Sequence, residues 1–460
     1  MYIIFDTETT GLPKNWNAPV TDVDNWPRCI QIAWQLHDKD GNLVESKNYL
    51  IKPDGFNIPF ESEQIHGIST LLAKEQGIDL RDALKEFNEA LSRAKFVVGQ
   101  NVGFDNNVVG CEFHRLQLDS DLLNKPVLDT CTERTAELCK IPGGRGGKFK
   151  LPTLTELHTY LFDEPFDEAH NASADVEATA RCFLELLRIG NYQTDELLST
   201  EDYLRDFREL HPNRIQRVGL EHQNLKALSK ALKEKQAEPD DSLSGVDKQQ
   251  NLERLKDVPF THLHNHSQFS VLQSTIRIRN LVQKAGDFGC PALALTDSGN
   301  MMAAFHFVSD VEKYNKGLEV EREKAAENGE PFDKQPIKSI VGCEFNVCRD
   351  HTNKSEKDNG YRVVLLAKNK RGYLNLAKMS SIAFTKGFYY VPRIDKAVME
   401  QYSEDVICLS GNLSGELSSL ILNVGENQAE NALNWYKNLY KDDFYIEIIR
   451  HGLEEEDAVK

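Results

Sequence analysis

The chain has 460 residues, 40% hydrophobic and 27% charged, with a net charge of -18. That length exceeds one ordinary core, because domains run to about 100–200 residues, so two or three units are expected. The negative balance excludes a chain that grips nucleic acid by bulk electrostatics, and no apolar run reaches the roughly 20 residues of a membrane helix.

The opening, Met1-Tyr2-Ile3-Ile4-Phe5-Asp6, lacks the basic start and long apolar stretch of a secretion signal and reads as a buried strand, so a cytoplasmic protein is expected. A strand around residues 30–36, an amphipathic helix over 80–94 and a strand at 96–98 follow, the order of an α/β layer fold. A helix over about 174–188 sets Val176, Ala180, Phe183, Leu184 and Leu187 on one apolar face, with Ser173 as its N-cap, and closes a first domain of residues 1–190.

Residues 191–257 read as a helical or flexible linker, because Ala237-Glu238-Pro239-Asp240-Asp241-Ser242-Leu243-Ser244-Gly245 is rich in breakers and short of bulky apolar groups. A second α/β series fills 258–460, with a strand through His262-Leu263-His264, a helix over 278–286 and strands at 292–295 and 339–342. Strand, helix, strand repeats suggest a barrel, interrupted by a charged, helix-prone insertion at 315–336 that carries no apolar periodicity. The chain ends on an acidic segment without a closing element, so the barrel is expected to be incomplete and the sequence cut short. Nine scattered cysteines without a C-x-x-C pair suggest reduced core thiols rather than disulfides or zinc.

The chemistry concentrates in two places. Asp6 and Glu8 end the first strand two residues apart, so both point to one side. Carboxylates there are costly unless a cation neutralises them. Asp105 follows the strand at 96–98, and Asp175 starts the helix that closes the domain, five residues after His170. Strand ends in α/β folds bring such residues together.

These residues resemble the DnaQ-like exonucleases, of the subclass whose fifth site residue is histidine. Asp6-Thr7-Glu8 matches the first motif, Asp105 the second, and His170 with Asp175 the third. The resemblance implies a ribonuclease H-like fold, a mixed sheet flanked by helices. It also implies two Mg²⁺ or Mn²⁺ ions about 3.5–4 Å apart that clamp the attacking water and the leaving 3' oxygen. Asp6, Glu8, Asp105 and Asp175 would then be ligands and His170 the general base, since an acid bound to a dication accepts protons poorly. Thr9-Thr10-Gly11-Leu12 and His66 match segments that lie near the terminal nucleotide, although a loop histidine is also compatible with a bland role. Glycines and three cations in the loop with Arg145, Lys148 and Lys150 read either as a clamp on single-stranded DNA or as a solvated loop.

The second place is Thr261-His262-Leu263-His264-Asn265-His266, three histidines at alternate positions, a metal site or the remnant of one. With the segments around Asp297 and Glu344 it resembles the PHP domain that opens bacterial DNA polymerase III alpha subunits, whose intact members bind up to three metals in a (β/α)7 barrel. His264, His266 and Glu344 keep ligand types, whereas Gln273, Ser298, Arg362 and Asn412 replace ligands, and the last ligand motif would lie beyond 460. A permanent cation such as Arg362 repels dications, so this module reads as an inactive scaffold whose metal binding is doubtful.

The expectation is a proofreading 3'-5' DNA exonuclease joined in cis to a bacterial replicative polymerase, whose partners are a single-stranded 3' end and the rest of the holoenzyme. The alternatives are a free-standing RNA-trimming or repair nuclease, and an assembly module without activity.

Overall fold

The apolar opening residues form β1 (Tyr2–Thr9), the centre of a five-stranded sheet in the computed structural model. The structure describes residues 1–144, 146, 148–164, 171–236, 253–256 and 258–459, which form two units, Met1–Pro239 and Asp240–Lys460. No helix among the described residues is long and apolar enough to cross a membrane.

In the first unit β2 (Cys29–His37) pairs antiparallel with β1 and with β3 (Leu43–Leu50). On the other side of β1, β4 (Phe96–Gly99) and β5 (Val127–Asp129) continue the sheet in parallel, giving the order β3-β2-β1-β4-β5. All nine residues of β2 are buried, as expected of an inner strand covered on both faces. This is a mixed sheet flanked by helices, the architecture that the resemblance to the exonucleases implies.

The helices are α1 (Phe60–His66), α2 (Thr70–Gln76), α3 (Leu80–Arg93), α4 (Gly103–Arg115), α5 (Glu133–Cys139), α6 (Leu154–Phe162), α7 (Ala172–Arg188), α8 (Glu201–Leu210) and α9 (Leu225–Gln236). Alternation along β1 divides the core between the two faces of the sheet. Tyr2 and Ile4 pack with Val176, Ala180 and Phe183 of α7, while Ile3 and Phe5 pack with Leu84, Phe87 and Leu91 of α3. The cap of α7 is Asn171 rather than Ser173: its side chain accepts the Ser173 N–H, and the helix starts at Ala172.

Residues 191–236 belong to the first unit rather than standing apart from it. Tyr192, Leu197, Leu204, Phe207 and Ile215 enter the core beside α7, and Leu225 joins Ile30, Ile68 and Leu72. The breaker-rich stretch at 237–245 lies outside the described residues.

The second unit has β6 (Ala292–Leu295), β7 (Lys338–Cys348), β8 (Tyr361–Ala367), β9 (Arg393–Asp395), β10 (Val406–Leu409) and β11 (Phe444–Tyr445). They run β11-β10-β8-β7-β6, with β9 also on β7, and the described strands do not close into a barrel. β8 lies antiparallel to both β7 and β10, which a simple strand-helix-strand repeat does not produce. The stretch at 262–264 is extended without being a strand, held beside β6 by Ala294 N–H to His262 O (3.1 Å) and Thr296 N–H to Asn265 O (2.9 Å).

The charged insertion is largely helix. Ala304–Asn328 is continuous and buries Phe307, Val311, Leu318 and Ala325, so one narrow apolar face runs through what composition alone presents as an excursion. All nine cysteines are free, and seven are buried.

Candidate active site

β1 stays extended through Thr9, so Asp6 and Glu8 project to the same side of the sheet. α7 brings Asp175 in its first turn, and the ligand oxygens of Asp6, Glu8 and Asp175 all lie within 4.8 Å of one another. Asp105, buried in the first turn of α4, is tied to the strand between the two acids: Thr7 donates its N–H (3.0 Å) and its hydroxyl (2.6 Å) to Asp105 Oδ1.

The entry to α4 is set by Asp129 at the end of β5, whose carboxylate accepts the N–H groups of Asn101 (2.8 Å), Val102 (3.1 Å) and Cys131 (2.7 Å). α7 is anchored from the opposite side by Gln31, the cross-strand partner of Glu8. Gln31 Nε2 donates to Asn171 Oδ1, and its Oε1 accepts the Ala172 N–H, both at 3.2 Å. Neither Asp129 nor Gln31 stands out in the sequence. Asn171 could have been read there, because asparagine is among the strongest N-caps.

Crowding makes the acids hard to ionise. Burial pushes Asp6 well above the usual carboxylate range, and the charges of Asp105, Asp175 and Glu8 push it further. Burial, then Asp175 and Asp105, lift Glu8 to about 8. Burial lifts Asp105 to about 7 against the two bonds from Thr7. Such a patch needs positive charge to be fully ionised, and its all-oxygen donor set fits a hard divalent cation.

His170 and Arg145 lie outside the described residues. After the strand, the Thr9 hydroxyl donates to Gly11 O (2.8 Å), Thr10 Oγ1 accepts the Arg28 N–H (2.9 Å), and Leu12 is 73% exposed. His66 is buried at the end of α1, with Nδ1 accepting the Ile68 N–H (3.0 Å). Lys148 and Lys150 are ion-paired with Glu133 (2.6 Å) and Glu156 (2.8 Å), so in this state their charge is already spoken for.

In the second unit His264, His266 and Glu344 converge, with ligand atoms within 4.8 Å. His264 is held at both ring nitrogens, Nε2 by Glu344 (3.0 Å) and Nδ1 by Glu447 (2.8 Å). Burial opposes a charged ring, yet these two carboxylates outweigh it and lift His264 to about 9. Ser298 Oγ sits 2.8 Å from both Glu344 and Gln273, and the Arg362 guanidinium approaches Glu344 at 3.6 Å. Without a metal, His264 and Arg362 thus set positive groups against Glu344, while His264, His266 and Glu344 themselves are types that ligate metals. A third group, Asp350, His351 and Asp395, is spent on structure: Asp395 caps the following helix through the Val398 N–H and accepts from His351 (2.5 Å).

Residues 3–183 match the family described as Exonuclease, and residues 262–451 match the PHP domain family. The first unit therefore carries an exonuclease domain, a phosphodiester hydrolase, and the second a PHP domain.

Among curated proteins the chain is similar to the DNA polymerase III subunit alpha of Borreliella burgdorferi, 35% identical over 204 residues, 44% of this chain and 16% of that protein. It is likewise similar to that subunit from Chlamydia pneumoniae, 39% identical over 198 residues, 42% of this chain and 14% of that protein. The chain thus matches less than a fifth of the length of either relative. Among solved structures, Escherichia coli Exonuclease I in complex with a dT13 oligonucleotide is similar at 20% identity and a TM-score of 0.33, over 43% of this chain and 45% of that one.

Proposed function

We propose that the first unit removes nucleotides from the 3' end of DNA, as the proofreading part of a bacterial replicative DNA polymerase III alpha subunit. The observation that carries this reading is the convergence of Asp6, Glu8 and Asp175 beside the buried Asp105. The exonuclease family match and the names of the relatives support it.

In this reading Asp6, Glu8, Asp105 and Asp175 would hold two divalent ions, Mg²⁺ or Mn²⁺, which when bound would supply positive charge to the phosphate under attack. His170 accepts the proton of the attacking water at a ring nitrogen. The new bond forms between that water oxygen and phosphorus, the bond to the 3' oxygen breaks with that oxygen taking up a proton from solvent, and a 5'-mononucleotide leaves a strand one residue shorter. Thr9, Thr10, Gly11, Leu12 and His66 line the approach of the terminal nucleotide, with Arg145, Lys148 and Lys150 on the strand behind it.

The PHP domain acts as a scaffold that keeps this site close to the growing end, where tethering raises its effective concentration. A replicative role of this kind places the protein in the cytoplasm with the remainder of the holoenzyme.

The test is trimming of a 3'-mismatched primer-template with Mg²⁺ by the chain and by Asp6→Ala/Glu8→Ala, beside a matched RNA strand. Loss of DNA trimming in the variant is the expected result. Activity that survives in the variant would move the chemistry elsewhere, and preference for RNA would replace proofreading by RNA trimming.

A further inference from the structure

The segment after α8 reaches back to the carboxylate site. His222, only 3% exposed at its side chain, places Nε2 at 2.7 Å from Glu177 Oε2 and Nδ1 at 3.0 Å from Ser173 Oγ. Ser173 Oγ lies 2.9 Å from Asn171 Oδ1, and Asn171 Nδ2 donates to Gln223 O at 2.9 Å. Gly219 N–H adds a bond to Glu177 Oε1 at 2.6 Å. Residues 219–223 therefore bind the first two turns of α7 on either side of Asp175, through Ser173 and Glu177.

The same segment continues into α9 and grips the loop after His66. Ser229 Oγ donates to Gly67 O (2.6 Å) and accepts the Ser69 N–H (3.0 Å). Contact is so close that a Cβ on Gly67 would stand 2.7 Å from Lys226 N. One strap thus touches both the helix start that carries Asp175 and the loop that follows His66.

Strap and sheet hold α7 from opposite sides. Gln31, across from Glu8, grips Asn171 and Ala172 from β2, while His222 and Gln223 grip Ser173 and Asn171 from outside. The spacing between Asp175 on the helix and Glu8 on the strand depends on both grips, and metal ligands tolerate little slack.

We propose that His222 is a positioning residue of the exonuclease site, holding the first turn of α7 through Ser173 and Asn171 so that Asp175 stays in register with Asp6 and Glu8. It touches none of these acids, and its effect reaches them only through the helix start. The proposal rests on the exonuclease reading of that cluster.

The experiment uses the full chain with His222→Ala, His222→Asn and His222→Gln, and with Asp6→Ala as the reference for a dead site. Asparagine places its amide near the Nδ1 position and can keep the Ser173 contact, whereas glutamine reaches the Nε2 position and can keep only Glu177. Single-turnover trimming of a single-stranded DNA, KM for that DNA, and Mn²⁺ affinity of the DNA-free chain by electron paramagnetic resonance are measured for each.

His222→Ala is expected to slow trimming about tenfold or more and to weaken Mn²⁺ binding, with KM for DNA within about twofold. His222→Asn restores both better than His222→Gln does. An unchanged rate and Mn²⁺ affinity in His222→Ala, or better rescue by glutamine than by asparagine, overturns the proposal, since the histidine would then serve only to pair Glu177. If Asp6→Ala itself keeps trimming, the exonuclease reading of the cluster fails instead, and the Mn²⁺ measurement still decides the role of His222.

Discussion

Thr7 sits between Asp6 and Glu8 on β1 and spends both its backbone N–H and its hydroxyl on a single oxygen of Asp105. The strand that carries two of the acids thereby fixes the position and the charge of a third. Thr7→Val keeps the shape and removes the hydroxyl, a bond to a charged group worth about 1.5–3 kcal/mol. Trimming should fall roughly tenfold or more, and Thr7→Ser should remain within about twofold. Losing the bond raises the Asp105 pKa further, so the acidic limb of the pH–rate profile should move to higher pH. A profile that does not move would show that Thr7 fixes geometry alone.

The carboxylate cluster should make the metal-free first unit less stable as pH rises. Glu8 is lifted to about 8 and Asp105 to about 7, above the values near 4 expected in an unfolded chain. A folded pKa raised in this way contributes stability below about pH 4 that is lost as pH climbs through 7 and 8. In EDTA, the melting temperature of this unit should fall between about pH 5 and 8; Asp6→Asn should flatten the fall, and Mn²⁺ should abolish it. A melting temperature that does not respond to Mn²⁺ would argue against a metal site.

In the PHP domain the shift has the same sign and a different cause, favourable pairing rather than crowding. His264, raised to about 9 between Glu344 and Glu447, contributes stability that is complete below about pH 6.5 and lost as pH rises through 9. His264→Gln should lower the stability of this unit at pH 6, and the difference from the unsubstituted chain should close above pH 9. Urea unfolding at the two pH values measures it, and an equal loss at both would mean that packing, not charge, is what the histidine contributes.

Gly67 combines φ of +77° with the close approach of Lys226. Gly67→Ala meets both obstacles, and a destabilisation of about 1–3 kcal/mol is expected, read as a drop in the melting temperature of the first unit. Because the strap must shift to admit the methyl group, hydrogen exchange should quicken at the Ser69 N–H as well.

Much of the cluster is legible in the sequence because its logic is local. Asp6 and Glu8 share a side through strand alternation, and Asp175 follows a helix cap. Gln31 and His222 are illegible for the opposite reason. Each acts on a residue far along the chain, Asn171 for Gln31 and Ser173 for His222, and neither has a periodicity or neighbour that marks it. The apolar stripe of Tyr203, Leu204 and Phe207 in α8 was available to be read, but the polar surroundings weigh toward a linker. The 262–264 segment has the alternation of a strand and still lacks a full ladder, since a ladder depends on a partner that alternation does not reveal.

The packing of residues 191–236 also extends the first unit beyond the residues that match the exonuclease family. A cleavage after Arg188 would remove Tyr192, Leu197, Leu204, Phe207 and Ile215 from the face of α7 and bare the apolar surface they cover. It would also release Glu177 and Glu185, both nearly fully buried, from the Gly219 and Ile215 N–H groups that now satisfy them. A fragment ending there would keep every recognisable motif residue and is expected to lose solubility and fold together, whereas one that runs to the end of α9 keeps these contacts.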